Sequence, residues 1–174
     1  MKDAPLYRLL AFDPGKTTGC AVVEVYKDTA QVPWTLHTAP ILAGRSIRIL
    51  GTENIPFETA AQDIKSILEQ NTNDTVQPHI VAEKFVINSH GFAGQALWSA
   101  QVTGMLIALA ATLYDPLTVD TSQMPSAAKN VAPRKLLREM ELLRPRMTQH
   151  EVDSLSHAVL HVVRTNRGKT SMIA

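Results

Sequence analysis

The chain's 174 residues, 45% hydrophobic and 19% charged with a formal net charge of +1, suit one globular domain with a buried core and exclude a disordered chain. A single cysteine, Cys20, excludes an internal disulfide, and the N-terminus lacks the basic-then-apolar run of a secretory signal, so a reducing, intracellular setting is expected. The longest strictly apolar run, Met105 to Ala111, is 7 residues, too short to span a bilayer. Charge is uneven: residues 1–128 hold 8 Lys and Arg against 12 Asp and Glu, a net −4, whereas residues 129–174 hold 9 against 4, a net +5. Such a basic end is either a solvated face or a surface that meets phosphate.

In chain order, Leu6 to Phe12 is a mostly apolar run of β-compatible residues stopped by Asp13-Pro14-Gly15. Ala21 to Tyr26 and a weaker stretch around Trp34 to Leu42 complete an expected three-stranded antiparallel meander. Gly15 and Gly19 read as turn glycines, and Cys20 as a small buried hydrophobe. Phe57, Ala60, Ala61, Ile64, Ile67 and Leu68 recur at intervals of 3 and 4, the stripe of an amphipathic helix running to about Gln70. Ile80-Val81-Ala82 then reads as a short buried strand closed by Glu83. Gly94 to Tyr114 has too few polar positions for an exposed helix. Its Leu97, Trp98, Met105, Leu106, Ile107 and Leu109 spread around more than one face, which leaves apolar surface for a second copy of the chain. Trp34 and Trp98 read as core or dimer contacts. A fifth strand is expected at Pro116 to Val119, a loop over Thr121 to Val131, and a helix opened by Pro133, carrying Leu136, Leu137 and Met140 and ended by Pro145.

The last helix starts at about Gln149, because Thr148-Gln149-His150-Glu151 matches a capping box. Val152, Leu155, Val159, Val162 and Val163 share one face, and His150, Asp153, His157 and His161 the other. From Arg164 to Ala174 the chain reads as a frayed basic tail.

The resulting layout is an α/β domain with an open mixed sheet, in which Asp13 and Glu83 stand at strand ends. Each is either a solvent-facing turn acid or a buried acid that needs a partner, and a divalent cation is one such partner. His150 and Asp153, spaced i and i+3, could close a cation site from the helix side. A set made mostly of carboxylates suits Mg²⁺ or Mn²⁺ rather than Zn²⁺, and ions of that kind promote phosphodiester cleavage. His157 and His161 read as solvent-face or helix-packing residues and stand outside this set.

Phe12-Asp13-Pro14-Gly15-Lys16-Thr17-Thr18-Gly19, then Val81-Ala82-Glu83, then His150-Glu151-Val152-Asp153-Ser154-Leu155 resemble, in order and spacing, the three signature segments of RuvC-type Holliday junction resolvases. Gly94 to Gly104 is similar to the helix after the second acid in that family. The resemblance implies an RNase H-like fold, with a mixed five-stranded sheet and helices on both faces, over residues 1–165, and a basic tail over 166–174. It implies a homodimeric, Mg²⁺-dependent endonuclease, with Mn²⁺ able to substitute, that nicks four-way DNA junctions symmetrically in recombination, repair or genome processing. The setting would be the cytoplasm of a bacterium or phage-infected cell, with no membrane partner. Asp13, Glu83 and Asp153 match the family's acids, and His150 stands where members carry Asp or His. Lys16, Lys84 and Phe85 beside the acids, and Lys129, Arg134, Lys135 and Arg138 in the basic portion, are the expected DNA contacts.

Two places depart from the family pattern. Its aromatic wedge falls at Val86 here, with Phe85 one residue earlier and Phe92 farther off, and its lysine after the fifth strand falls near Met124 or Pro125, leaving Lys129 and Lys135 as displaced candidates. A broader branched-DNA endonuclease would use the same acids. The segment from Asp13 to Gly19 also resembles the phosphate-gripping hairpin of actin-like ATPases, a fold that needs a second nucleotide-binding half and a further glycine-rich loop.

Overall fold

The computed structural model describes residues 4–27, 37–38, 42, 44–71, 78–85, 93–113 and 119–170. β1 (Tyr7–Asp13) and β2 (Thr17–Lys27) form an antiparallel hairpin whose register sets Asp13 opposite Gly19. The two-residue β3 (His37–Thr38) pairs with the edge of β4 (Arg45–Pro56), which lies antiparallel to β2. β5 (Pro78–Glu83) runs parallel to β1 on the other side, and β6 (Val119–Gln123) runs parallel to β5, giving the order β3-β4-β2-β1-β5-β6. Five full strands thus make the mixed sheet, with β3 a short addition at one edge.

The period-two alternation of side chains sorts residues between two cores. Leu9 and Ala11 of β1, Ala21, Val23 and Val25 of β2 and Val81 of β5 face α5 (Gln149–Thr170), with α3 (Pro125–Val131) and α4 (Arg134–Glu139) on the same side. Leu10, Phe12, Cys20, Val22, Ile80 and Ala82 face α1 (Ala60–Asn71) and α2 (Ala93–Leu113). The same alternation carries Asp13, Gly19 and Glu83, one step beyond Ala11, Ala21 and Val81, to the α5 side. Burial pushes the Cys20 thiol up, with the Glu53 charge adding to it, as expected of an inert buried thiol.

Several elements differ from the sequence expectation. The third long strand is β4, while most of Trp34 to Leu42, Trp34 included, lies outside the described residues. β4 runs along the outer side of β2, and a register shift between Val22 and Val23 breaks its alternation near Leu50, so its pattern of Ile and polar residues does not read as a clean strand. The fifth strand begins at Val119, and Tyr114 to Thr118 also lie outside the described residues. The expected loop from Thr121 is the end of β6 followed by α3, whose Pro125 occupies a first-turn position.

Pro133 stands just before α4, which ends at Glu139, six residues short of Pro145. The stop is a Schellman closure: Leu142 N–H donates to Leu137 O and Glu141 N–H to Arg138 O, both at 2.9 Å, with Glu141 at φ 57°. Because glutamate fills the left-handed position where glycine is usual, the sequence carries no stop signal there. α5 continues to Thr170 rather than fraying at Arg164, since Asn166 accepts from Arg45 Nε at 2.9 Å and donates to Leu42 O at 2.6 Å.

On α2, Val102, Leu106 and Ala110 are fully buried, so Leu106 belongs to the core and is not available to a partner. Among the described residues, Leu97, 57% exposed, and Ile107, 40% exposed, are its exposed large apolar side chains. Trp98 packs edge-on against Phe57, with ring centroids 4.2 Å apart.

Candidate active site

β1 and β5 deliver Asp13 and Glu83 to one end of the sheet, and the first turn of α5 crosses that end. What sets the helix so close is Gly19: a Cβ there would lie 2.0 Å from the carbonyl oxygen of His150 and 3.0 Å from the amide nitrogen of Glu151. Gly44 is the described glycine with a positive φ, so Gly19 serves close approach rather than a left-handed turn. Ser99 on α2 holds the β1–β2 turn from the other face, donating to Pro14 O at 2.7 Å.

The helix start is then fixed by its cap. Thr148 N–H donates to Glu151 Oε2 at 2.8 Å and Glu151 N–H to Thr148 Oγ1 at 3.3 Å, as the capping box predicts. Glu151 also accepts from Thr52 Oγ1 at 2.8 Å and Asn54 Nδ2 at 2.9 Å, which ties α5 to β4. Burial alone would raise the Glu151 carboxyl, but these hydrogen bonds together hold it below the usual carboxylate range.

Within this frame His150 Nδ1 lies 2.8 Å from Asp13 Oδ2. One turn on, Asp153 accepts from Gln149 Nε2 at 2.7 Å and pairs with Lys129 Nζ of α3 at 3.1 Å. Burial pushes Asp13 up to about 6; the hydrogen bond with His150 opposes this, while the charges of Glu83 and Asp153 add to it. Desolvation would lower the Lys129 ammonium, yet its hydrogen bond to Asp153 and the charges of Asp153, Glu83 and Asp13 hold it above its ordinary value. Glu83 and Asp153 therefore act on the ionisation of Asp13, and Lys129 sits within the field of all three acids.

All four candidate site residues are brought to this end of the sheet. Among the described residues no three His, Cys, Asp or Glu side chains converge closely enough to hold a metal ion. Each carboxylate is turned instead to a partner: Asp13 to His150, Asp153 to Lys129 and Gln149, Glu83 to His157.

Of the expected DNA contacts, Lys16 is exposed in the turn after Asp13, and Lys84 and half-buried Phe85 follow Glu83 directly. Arg134 reaches the site's rim, donating to Gln149 Oε1 at 3.1 Å. Lys135 is engaged with Glu139 at 3.9 Å along α4, and Arg138 is exposed on the same helix. Val86 and Phe92 lie outside the described residues.

His157 and His161 are not on a solvent face. Every residue from 151 to 163 is buried, because α3 and the sheet cover α5 on both sides. His157 reaches Glu83 Oε2 and Gln123 Oε1, each at 3.0 Å, and His161 Nε2 lies 3.0 Å from His79 Nδ1. Sequence reasoning passed over His157 and Gln123. The available signal was that His157 shares a helical stripe with His150 and Asp153.

Strand order, the two helical layers and the acids at the strand ends define the RNase H-like α/β fold. Two solved structures of RuvC from Thermus thermophilus share it. One, in complex with a Holliday junction substrate, superposes with a TM-score of 0.64 at 14% identity, covering 93% of this chain and 96% of that one. The other gives 0.63 at 16% identity, covering 92% and 96%. The sequence matches no family model and no curated protein. Among the described residues no helix is long and apolar enough to cross a membrane.

Two outcomes follow. Gly19→Ala forces α5 off the sheet and is expected to cost about 1–3 kcal/mol or more in urea unfolding; unchanged stability would mean that the close approach is not a constraint. For Asp13, the folded carboxyl at about 6 lies above the ordinary 3.8, so its contribution to stability is present below about pH 4 and is lost as pH rises through about 6. In EDTA, Asp13→Asn is therefore expected to be more stable than wild type near pH 8, by about 1–3 kcal/mol, with the gap closing near pH 4. A gap of equal size at both pH values would contradict this.

Proposed function

We propose that this chain is a metal-dependent, structure-selective DNA endonuclease that cleaves four-way junctions by paired symmetric nicks through phosphodiester hydrolysis. The observation that carries the reading is the gathering of Asp13, Glu83 and Asp153, from β1, β5 and α5, at one end of an RNase H-like sheet, with His150 beside them. The likeness to a RuvC bound to a Holliday junction substrate supports branched DNA as the partner.

The donor set fits a hard divalent cation, Mg²⁺ with Mn²⁺ as substitute: three carboxylates and an imidazole, with an Asp13 whose ionisation is opposed by its neighbours' charges. Asp13, Glu83, His150 and Asp153 would hold it, His150 and Lys129 giving up their present hydrogen bonds to free Asp13 and Asp153. When bound, such an ion supplies Lewis acidity and an activated water. Lys129, its ammonium held in the protonated form, neutralises charge beside Asp153, and Arg134 orients Gln149 at the same rim. Lys16, Lys84, Phe85, Lys135 and Arg138 contact the DNA arms, the cations through phosphates.

The test is a strand-mapped cleavage assay comparing a four-way junction, a fork and plain duplex in Mg²⁺. Symmetric nicks confined to the junction are expected, and equal cutting of forks would favour the broader branched-DNA nuclease. Asp13→Asn is expected to bind the junction and lose more than about 100-fold in cleavage, the loss of several kcal/mol of barrier stabilisation. Wild-type cleavage by that variant would remove Asp13 from the site.

Paired nicks need two sites, and we assign the dimer contact to the exposed side of α2 at Leu97 and Ile107. Light scattering is expected to give about twice the 19.1 kDa chain mass, and the monomer mass for a folded Leu97→Glu, Ile107→Glu variant. A monomeric wild type would sink the preformed dimer.

A further inference from the structure

Glu83 is gripped from inside the protein. His157 lies on α5 two turns beyond His150 and is 1% exposed, with Nε2 at 3.0 Å from Glu83 Oε2 and Nδ1 at 3.0 Å from Gln123 Oε1. Gln123 is itself fully buried, and its Nε2 has no hydrogen-bond partner among the described residues.

A bulge brings Gln123 there. Between Val81 and Glu83 of β5 the chain advances two residues, while β6 advances three, from Asp120 to Gln123. Val119 packs toward the α1/α2 core, and unbroken alternation would send Gln123 the same way. The extra residue turns it onto the α5 side, under His157.

The hydrogen-bond arithmetic then limits the imidazole. A neutral ring has one N–H and one lone pair, so it cannot donate to two acceptors. Either the ring carries both protons, or the Gln123 amide is turned over, which leaves its heavy-atom outline unaltered, so that its NH₂ donates to Nδ1 and its oxygen takes the unpartnered position. In both arrangements Nε2–H donates to Glu83. A proton on Nδ1 alone would set two lone pairs against each other unless Glu83 carried the proton.

We propose that His157 is a positioning residue: its Nε2–H fixes one oxygen of Glu83, and Gln123 fixes the ring, so that the other oxygen is presented to a divalent cation. This rests on the reading of Glu83 as a metal ligand. Outer partners of this kind set metal affinity by holding the ligand in its binding orientation.

The experiment measures Mn²⁺ binding without DNA, from the free-ion electron paramagnetic resonance signal, on wild type, Glu83→Gln, His157→Leu and His157→Gln. His157→Leu is expected to weaken Mn²⁺ about 10–100-fold while junction binding in EDTA is retained. His157→Gln, whose amide nitrogen can take the place of Nε2, restores most of the affinity. Wild-type affinity in Glu83→Gln would remove Glu83 from the metal site and overturn the underlying reading. Loss in Glu83→Gln with full affinity in folded His157→Leu would overturn the role of His157 alone. If His157→Leu does not fold, long-range ¹H–¹⁵N spectra of the wild type decide: a protonated Nε2 is expected, and a lone Nδ1–H overturns the proposal.

Discussion

The carboxylate end of the sheet is organised around a missing side chain. With hydrogen alone at Gly19, the backbone of His150 rests directly on β2, opposite Asp13 in the hairpin register. That contact sets the height of α5 above the sheet. The His150 ring then reaches Asp13, Asp153 stands one turn farther along, and His157 one more turn on meets Glu83. Thr52, Asn54, Thr148 and Glu151 lock the helix start sideways, so neither its distance nor its rotation is free. A backbone contact, not a side-chain attraction, is the primary constraint.

How much of this was legible depended on whether the signal was local. The hairpin, both strand-end acids and the capping box are written in short runs of residues, and the structure has them where the sequence puts them. β4 was not legible, because its alternation is broken by a register shift and its partner strand is distant in sequence. The end of α4 was hidden by Glu141 doing what glycine ordinarily does. The polarity of His157 and His161 left a solvent face or helix packing as readings, and it is packing that holds: His157 meets Glu83 of β5 and Gln123 of β6, and His161 meets His79 of β5. The role of Gly19 belongs to a contact with residue 150 and cannot be found in its own neighbourhood.

The electrostatics of the site are those of a place kept from relaxing. Three acids share one end of a buried sheet, and each is quieted by a different donor: an imidazole for Asp13, an ammonium for Asp153, a second imidazole for Glu83. Burial first, and the charges of Glu83 and Asp153 second, disfavour the ionised form of Asp13, a cost that the fold carries at neutral pH. The two partners at the rim, His150 and Lys129, are exposed enough to move, while His157 is enclosed. The cluster therefore has adjustable members and one fixed member.

The burial of α5 on both sides has a consequence for the order in which the protein comes into being. Leu9, Ala11, Val23, Val25 and Val81 are synthesised well before Val152, Leu155, Val159 and Val162, yet they are covered by them. Until α5 leaves the ribosome, that face of the sheet lacks the helix that covers most of it, and the nascent chain carries exposed apolar surface of the kind that chaperones hold. The same docking event brings His150 and Asp153 to Asp13 and Glu83. Docking of α5 thus completes this core and brings the helix's site residues to the strand-end acids together.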